Sequence, residues 1–208
     1  MKKVLYIIGN PQTEAKSYSK RVGKYYLEEL KKQEPLDLEI VDVYRDPIPL
    51  VDLEVLEAWD ALKNGSEFSK LTSSQQGKIM QMNANLKQFM EADEYVFISP
   101  VWNLSITPML KAYIDNVVIA NKTFKYTEMG PEGLLKNKKA TIIQAAGSVL
   151  SDGPLVKMNY ANRYLETILR FMGIEEVNHL TIEGVAIPGT PDEKRFEKVY
   201  KDIKNLLK

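Results

Sequence analysis

The sequence predicts an α/β protein in which a five-stranded parallel sheet carries helices on both faces. Five short, strongly apolar segments alternate along the chain with segments whose apolar residues recur at helical spacing. Most of the short segments are continuously apolar, which is typical of parallel strands that are buried on both faces. No internal repeat, low-complexity tract or linker interrupts the alternation, so residues 1–208 are expected to form a single domain.

The first half of the chain contains two strands and two helices. Residues 3–8 (KVLYII) are almost entirely apolar, and the helix expected over residues 17–33 is stopped by Pro35. Residues 36–43 alternate between apolar and polar side chains, which indicates a strand at or near a sheet edge. The helix expected over residues 73–90 carries an apolar stripe at the spacing of a core-facing helix. The stripe consists of Ile79, Met82, Leu86 and Phe89.

The second half repeats the strand–helix unit three times. The expected strands are 94–99, 139–145 and 177–182, and the expected helices are 108–118, 160–172 and 192–207. Pro108 stands at the tolerated first position of its helix, Thr107 is expected to cap that helix, and Gly173 ends the next one. Two segments, residues 44–74 and 121–138, are longer than simple connections need to be.

Composition excludes several classes of function. The chain has 28 Lys and Arg residues and 28 Asp and Glu residues, and a net charge of zero disfavours a broad nucleic-acid-binding face. It has no cysteine, which excludes disulfides, thiol catalysis and cysteine-based metal sites. No apolar run approaches the roughly 20 residues that span a bilayer, and the first strand is too short for a secretion signal. We therefore expect a cytoplasmic protein without nucleic-acid or membrane partners.

The sequence offers no familiar set of catalytic side chains. The motifs HExxH, GxSxG, GxGxxG and GxxxxGK[ST] are all absent, and no metal site is predicted. His179 is the only histidine, lies within the fifth predicted strand and is interpreted as structural. Asp152 is interpreted as a turn residue. The acidic residues of the 44–74 segment resemble the solvated face of a helix: Asp52, Glu54, Glu57 and Asp60. A bound cofactor is therefore expected to supply the chemistry.

Three loops at one edge of the predicted sheet are candidate ligand sites. Ligands of open α/β sheets bind beyond the carboxyl ends of the strands, near the point where the strand order reverses. The first loop follows the first strand and ends in Ser17, Tyr18 and Ser19 at a helix N-terminus. Free N–H groups, the helix dipole and two hydroxyls at this position suit a phosphate. The alternative is that Ser17 only caps the helix.

The second loop, which follows the third strand, is a short strand-to-helix loop that carries a bulky tryptophan. It begins at Pro100 and places Trp102 and Asn103 at the edge where a planar ligand would lie. The indole ring can stack on such a ligand, and backbone N–H groups can reach its polar edge. The alternative is that Trp102 packs in the core or contacts a partner protein.

The third loop, QAAGSVLSDGP, begins at Gln144 and is rich in small residues. Small side chains allow the backbone to approach a ligand closely, although an ordinary strand-to-helix turn would also explain them. The small residues are Ala145, Ala146, Gly147 and Ser148. A phosphate at the first loop and a flat ring between the second and third loops together describe flavin mononucleotide (FMN).

At these residues the chain resembles the flavodoxin-like FMN-dependent NADH:quinone oxidoreductases, also called NADH-azoreductases. The resemblance covers nearly the whole chain and is clearest in SPVWNLSITPMLKAYID, KTFKYTEMGPEGLLKNKKA and YLETILRFMGIEEV. It implies a flavodoxin-like fold with strand order 2-1-3-4-5. It also implies one non-covalent FMN per subunit, which NADH or NADPH reduces by hydride transfer. The donor then leaves, and a quinone or azo compound takes two electrons in a ping-pong cycle.

The resemblance also implies roles for particular residues. Ser17, Tyr18 and Ser19 would hold the FMN phosphate. The residues expected around the isoalloxazine ring are Pro100, Val101, Trp102, Asn103, Leu104, Ala145, Ala146, Gly147 and Ser148. The family is homodimeric with each flavin at the subunit interface, where Tyr126 and Phe171 would shape the acceptor pocket. No catalytic side chain is expected, because the chemistry belongs to the flavin.

The chain departs from the family pattern at three places. Residues 146–148 read Ala-Gly-Ser where members often have Arg-Gly-Gly or Asn-Gly-Gly. Some members have His or Tyr at the position of Leu150, and some have Ser at the position of Asn10. FMN binding through the backbone is expected to survive these changes. Two alternatives remain open: a flavodoxin-type electron carrier without its own substrate, and a non-enzymatic regulatory dimer in which Trp102 and Tyr126 contact a partner. Carriers tend to be smaller and strongly acidic, unlike this chain.

Overall fold

Seven strands and six helices follow one another along the chain in a computed structural model that describes residues 1–208. The strands are β1 (Lys2–Ile8), β2 (Leu36–Asp42), β3 (Glu94–Pro100), β4 (Phe124–Thr127), β5 (Gly130–Gly133), β6 (Lys139–Ala145) and β7 (Glu176–Ile182). The helices are α1 (Tyr18–Lys31), α2 (Leu53–Lys63), α3 (Ser73–Glu91), α4 (Pro108–Val117), α5 (Tyr160–Phe171) and α6 (Asp192–Leu206). Short 3-10 turns occupy Glu14–Lys16, Phe68–Lys70 and Gly153–Met158.

The central sheet confirms the predicted fold class. Its five strands are all parallel and lie in the order β2-β1-β3-β6-β7, which is order 2-1-3-4-5 for the core strands. β2 lies at an edge of the sheet, as its alternating sequence indicates. The chain reverses direction across the sheet between β1 and β3, so the loops after these two strands open at the switch point.

Both faces of the sheet are covered by helices, which explains the continuous apolar strands. In β3, Tyr95 and Phe97 face a core built with α3, α4 and α5, whereas Val96 and Ile98 face a second core built with α1 and α6. All four side chains are fully buried. Burial of an aliphatic or aromatic side chain stabilises a fold by about 1.5–3 kcal/mol, so this strand alone anchors both layers.

The 44–74 segment contains a helix, α2, that packs on α3 rather than on the sheet. Asp52 begins it, because its carboxylate accepts a hydrogen bond from the Val55 N–H across 3.1 Å. Asp52 and Glu54 both form ion pairs with Lys78 of α3. The hydrogen bond from Lys78 is the main reason that the pKa of Asp52 lies below its ordinary value. These acids therefore belong to a solvated helix surface, as predicted.

The 121–138 segment forms an antiparallel hairpin, β4–β5, which the sequence did not predict. The hairpin docks on the end of α5, where the Leu135 N–H donates to the Met172 carbonyl across 2.8 Å. Gly133 lies so close to this helix end that an added Cβ would be 2.2 Å from the Gly173 nitrogen. The hairpin position therefore depends on contact between two backbones.

His179 lies in β7 and contacts α5. Its ring nitrogens are 3.0 Å from Asn162 Oδ1 and 3.2 Å from Glu166 Oε2. These contacts join an edge strand to the helix that covers it, which agrees with the structural role predicted for His179. None of the helices is both long and apolar enough to cross a membrane.

Candidate cofactor-binding site

The three candidate loops lie side by side at the carboxyl edge of the sheet. In the structure the first, second and third loops span residues 9–17, 101–107 and 146–159. Thr107 stands at the N-cap position of α4 as expected, but its side chain makes no capping hydrogen bond. Its hydroxyl donates to the Gly9 carbonyl across 2.8 Å and ties the first loop to the second. The Val101 N–H donates to the Ala145 carbonyl, also across 2.8 Å, where the second and third loops begin.

Three buried polar side chains gather at the N-terminus of α1. The exposed fractions of Asn10, Ser17 and Ser19 are 3%, 2% and 0%. The Asn10 amide nitrogen lies 2.7 Å from Ser17 Oγ and 3.3 Å from Ser19 Oγ, and the two hydroxyl oxygens are 3.2 Å apart. Ser17 also caps the helix, because its Oγ accepts from the Lys20 N–H across 3.1 Å. We call Asn10, Ser17 and Ser19 the polar cradle.

The polar cradle has the chemistry of an anion site. The N–H groups of Tyr18 and Ser19 belong to the first turn of α1, where no carbonyl of the same helix can accept from them. These donors lie at the positive end of the helix dipole and beside two hydroxyls. Because the cradle combines free backbone donors with buried side-chain donors, it suits a phosphate better than a helix cap alone would.

Tyr18 contributes to the cradle through its backbone only. Its hydroxyl donates to Asp192 Oδ2 across 2.8 Å, and its ring stacks on Phe196 with centroids 5.8 Å apart. The hydrogen bond to the Asp192 carboxylate is the main reason that the pKa of Tyr18 is raised. Of the three residues predicted at the phosphate, Ser17 and Ser19 present side chains to the cradle, whereas the Tyr18 side chain points towards α6.

A cavity of about 330 Å³ separates the second and third loops. We call it the ring cavity. It is lined by Val101, Asn103, Leu104, Ala146, Gly147, Ser148, Leu150, Leu155 and Met158. Six of the nine residues expected around a ring are therefore brought together, whereas Pro100, Trp102 and Ala145 do not line the cavity. The sequence did not predict Leu155 and Met158 as cavity residues. They lie in a six-residue 3-10 turn, which is too short to show a periodic pattern of apolar residues.

The second loop contains an unusual tight turn. Asn103 and Leu104 both adopt left-handed backbone conformations, with φ of 48° and 65°. Reciprocal hydrogen bonds of 2.9 Å between Trp102 and Ser105 close the turn. A left-handed conformation costs a residue such as leucine roughly 1–2 kcal/mol, so the surrounding structure must hold it in place. Trp102 remains 40% exposed, which excludes core packing and leaves stacking or a partner contact.

The walls of the ring cavity present unpaired backbone donors. Four N–H groups there have no acceptor within the protein: those of Asn103, Leu104, Gly147 and Ser148. Two of these groups come from each loop, so they approach the cavity from opposite sides. A flat heteroaromatic ring with several acceptor atoms along its edge would satisfy such donors, whereas a purely apolar ligand would not.

A second and larger cavity, of about 840 Å³, runs between α2, α4, α5 and the hairpin. We call it the apolar groove. Ten of its twelve lining residues are hydrophobic: Val51, Trp59, Ile114, Val118, Ile119, Ala120, Phe124, Tyr126, Tyr164 and Ile168. Burial raises the pKa of Tyr164 to about 12, so its phenol is neutral at physiological pH.

The two residues predicted to shape an acceptor pocket, Tyr126 and Phe171, both pack on Phe124, which lines the apolar groove. The Phe124 ring lies 5.4 Å from the Tyr126 ring and 4.6 Å from the Phe171 ring, measured between centroids. The Tyr126 side chain is 75% exposed. Neither Tyr126 nor Phe171 lines the ring cavity of the same chain.

A parallel sheet of order 2-1-3-4-5 with a polar cradle and a cavity at the carboxyl ends of its strands defines a protein of the flavodoxin type. The family model described as the flavodoxin-like fold matches residues 2–207. The chain therefore belongs to the family of flavodoxin-like folds.

Named relatives and solved structures resemble the whole chain. An FMN-dependent NADH:quinone oxidoreductase of Geobacillus kaustophilus is 44% identical over 196 residues, which cover 93% of this chain and 92% of the relative. The crystal structure of an FMN-dependent NADH-azoreductase from Bacillus anthracis in complex with FMN has a TM-score of 0.91 and 34% identity, and all of both chains is covered. A second azoreductase from Bacillus anthracis has a TM-score of 0.90 and 29% identity, with 100% and 99% of the two chains covered.

Proposed function

We propose that this chain is an FMN-dependent oxidoreductase that uses NADH or NADPH to reduce quinones or azo compounds. The observation behind the proposal is that the polar cradle and the ring cavity lie on one rim of the sheet, joined through Thr107 and Gly9. Relatives named FMN-dependent NADH:quinone oxidoreductase and NADH-azoreductase support the same choice. Bound FMN would supply two-electron chemistry: hydride uptake from the nicotinamide, then, after that nucleotide leaves, reduction of the acceptor.

At the phosphate end, the donors are short side chains and backbone N–H groups at the N-terminus of α1. The hydroxyls of Ser17 and Ser19 and the first-turn N–H groups of α1 are the donors that would hold the phosphate. Asn10 stands where some members of the family have a serine, and its amide donates to both hydroxyl oxygens, which leaves the hydroxyl hydrogens available to an anion. The departure at Asn10 is therefore compatible with an anion at this position.

At the ring end, the backbone orients the ligand and apolar side chains exclude water. The donors that would face the polar edge of the ring are the N–H groups of Asn103, Leu104, Gly147 and Ser148. Leu150, Leu155 and Met158 supply the apolar side of the cavity. Because the donors are backbone groups, the Ala-Gly-Ser departure in the third loop leaves them in place.

We also propose that two copies of the chain pair through the apolar groove. Ten of the twelve residues that line the groove are hydrophobic, and covering exposed apolar surface favours association of two proteins. Tyr126 lines the groove and Phe171 packs on the groove residue Phe124, and neither lines the ring cavity of its own chain. The ring cavity that they would reach is therefore that of a second subunit. This arrangement supports a homodimer with each active site at the interface, as the family resemblance implies.

An absorbance spectrum and a steady-state assay test the proposed enzyme. The purified protein should be yellow and take up one FMN per chain, and it should oxidise NADH when menadione or methyl red is added. A colourless protein that takes up no FMN would defeat the proposal. Stopped-flow mixing with NADH separates the enzyme from a flavodoxin-type carrier, since a carrier would not be reduced directly by the nucleotide. Parallel lines in a double-reciprocal plot would support the ping-pong order.

A further inference from the structure

The third loop is paired with the segment that follows β7. Four backbone hydrogen bonds join residues 146–148 to residues 182–186, with N···O distances of 3.0 to 3.3 Å. Gly147 lies close to the paired segment, because an added Cβ would be 3.3 Å from the Ala186 side chain. This pairing holds the start of the third loop, and it ends at Ser148.

Beyond Ser148 a single carboxylate holds the loop. Glu183 Oε1 accepts from the Leu150 N–H across 2.9 Å, and Oε2 accepts from the Ser151 N–H across 3.3 Å. The Ser151 hydroxyl also donates to Oε2. No other hydrogen bond joins residues 149–152 to another strand or helix of the protein. Bonds to an ionised acceptor are about twice as strong as neutral ones, so Glu183 is the main anchor of this segment.

The anchored segment forms part of the ring cavity wall. Leu150 is 4% exposed and lines the cavity together with Leu155 and Met158. The backbone of Leu150 is the group that Glu183 holds, whereas Glu183 itself does not line the cavity. A change at Glu183 would therefore reach the cavity only by moving the third loop.

We propose that Glu183 is a positioning residue that holds the third loop in the shape that receives the flavin ring. The inference rests on the proposed function, because it assumes that a flavin occupies the ring cavity. Glu183 acts through Leu150 and Ser151, and it lies outside the polar cradle. Its removal should therefore weaken binding of the ring and leave binding of the phosphate unchanged.

Comparing FMN with riboflavin tests this inference, because riboflavin has the same ring and no phosphate. Glu183→Gln keeps the side-chain size but replaces one accepting oxygen with an NH₂ group. All three hydrogen bonds to Glu183 lose their charged acceptor, so FMN and riboflavin should both bind at least about 10-fold more weakly, and by the same factor. Ser19→Ala should weaken FMN alone. Fluorescence titration of the apoprotein gives both dissociation constants.

Matched variants separate loop positioning from general damage. Asp152→Asn removes a carboxylate from the same loop that bonds only to the adjacent Gly153 N–H, and it should leave both affinities unchanged. Ser151→Ala removes one of the three bonds to Glu183, and it should weaken both flavins by a smaller factor, about 2- to 5-fold. It also serves if Glu183→Gln does not fold. The visible absorbance band of the bound flavin should shift in Glu183→Gln and stay unchanged in Asp152→Asn.

Each outcome has a distinct meaning. If the natural protein binds neither flavin, the proposed function fails and takes the inference with it. If the natural protein binds both flavins and the Glu183→Gln and Ser151→Ala variants bind them equally well, only the inference is overturned. Weakening of FMN without weakening of riboflavin would also overturn it, because Glu183 would then act at the phosphate end.

Discussion

The Tyr18 hydroxyl donates to the Asp192 carboxylate across 2.8 Å and joins the first turn of α1 to the first turn of α6. The other oxygen of Asp192 is 3.1 Å from Arg195 Nη1, so the carboxylate is held from two sides. Tyr18 and Asp192 are 174 positions apart in the chain. The last helix of the protein therefore supports the helix end that carries the polar cradle.

Tyr18→Phe should separate stability from cofactor binding. The partly buried bond to a carboxylate is lost, and we expect the free energy of unfolding to fall by about 1 kcal/mol. FMN affinity should change by less than about threefold, because only the Tyr18 backbone faces the cradle. Urea unfolding of the apoprotein and FMN titration measure the two effects. Tyr160→Phe is the control, since the Tyr160 side chain is exposed. A large loss of FMN affinity would show that the phenol itself contacts the cofactor.

Ser19→Ala should weaken FMN binding by about 10- to 150-fold, because a hydrogen bond to a charged group is worth roughly 1.5–3 kcal/mol. Ser17→Ala should have a similar effect on affinity and also destabilise α1 by about 1 kcal/mol, since Ser17 caps that helix. Ser66→Ala, at an exposed serine, is the control. Full affinity in both cradle variants would place the phosphate elsewhere.

Trp102→Ala distinguishes a stacking residue from a partner contact. Stacking of an aromatic side chain on a flat ring contributes about 1–3 kcal/mol, so a stacking role predicts FMN affinity about 5- to 150-fold weaker. Trp102→Phe keeps a ring and should retain most of the affinity. An unchanged dissociation constant together with an altered sedimentation coefficient would instead identify Trp102 as a contact between protein molecules.

Ala120→Arg should convert the proposed dimer into a monomer. Ala120 is exposed in the single chain and lines the apolar groove, so the new cation should not disturb the subunit fold. In a dimer it would be buried in a mostly apolar groove, which is costly, because the carboxylate there, that of Asp115, already pairs with Lys111. Analytical ultracentrifugation measures the change in mass. Ala84→Arg places the same residue at an exposed alanine of α3 outside the groove. Equal masses for the two variants and the natural protein would exclude the groove as the interface.

Gly133→Ala should displace the hairpin from α5. The new Cβ would be 2.2 Å from the Gly173 nitrogen and 2.4 Å from the Met172 carbonyl carbon, and backbone atoms cannot move aside cheaply. We expect the free energy of unfolding to fall by about 2 kcal/mol or more. Gly130 lies on the same hairpin with open space around it, but its φ of 110° makes it a poor control. Gly77→Ala, also in open space, is the control. Equal chemical denaturation midpoints for Gly133→Ala and the natural protein would contradict the close packing.

The sheet could be predicted from the sequence because its strands satisfy one rule. Segments such as residues 94–99 are buried on both faces and are therefore apolar throughout. The hairpin follows no such rule: the β5 sequence Gly-Pro-Glu-Gly has none of the β-branched or aromatic residues that favour strands, and its conformation depends on contacts with the end of α5. Local sequence does not encode a contact between two distant backbones.

Part of the site could be predicted because the second and third loops follow neighbouring parallel strands. The carboxyl ends of these strands lie at the same edge of the sheet, so the two loops lie close together. The direction of the Tyr18 side chain, the bond from Thr107 to Gly9 and the role of Glu183 all depend on partners that lie far away in the chain. A sequence pattern shows which residue types stand at an edge of the sheet. It does not show which distant carboxylate or carbonyl group will accept a hydrogen bond from each of them.

The bond from Thr107 to Gly9 has a consequence for the choice among flavins. It ties the loop after β1, which carries part of the polar cradle, to the loop after β3, which forms one wall of the ring cavity. It therefore fixes the separation between the cradle and that wall. Two preorganised subsites bind a molecule tightly only if the linker between its two ends matches that separation. We therefore expect the protein to select flavins by the length of the sugar-alcohol chain that links the ring to the phosphate. In an analogue with one carbon more or fewer, the ring and the phosphate could not both occupy their subsites.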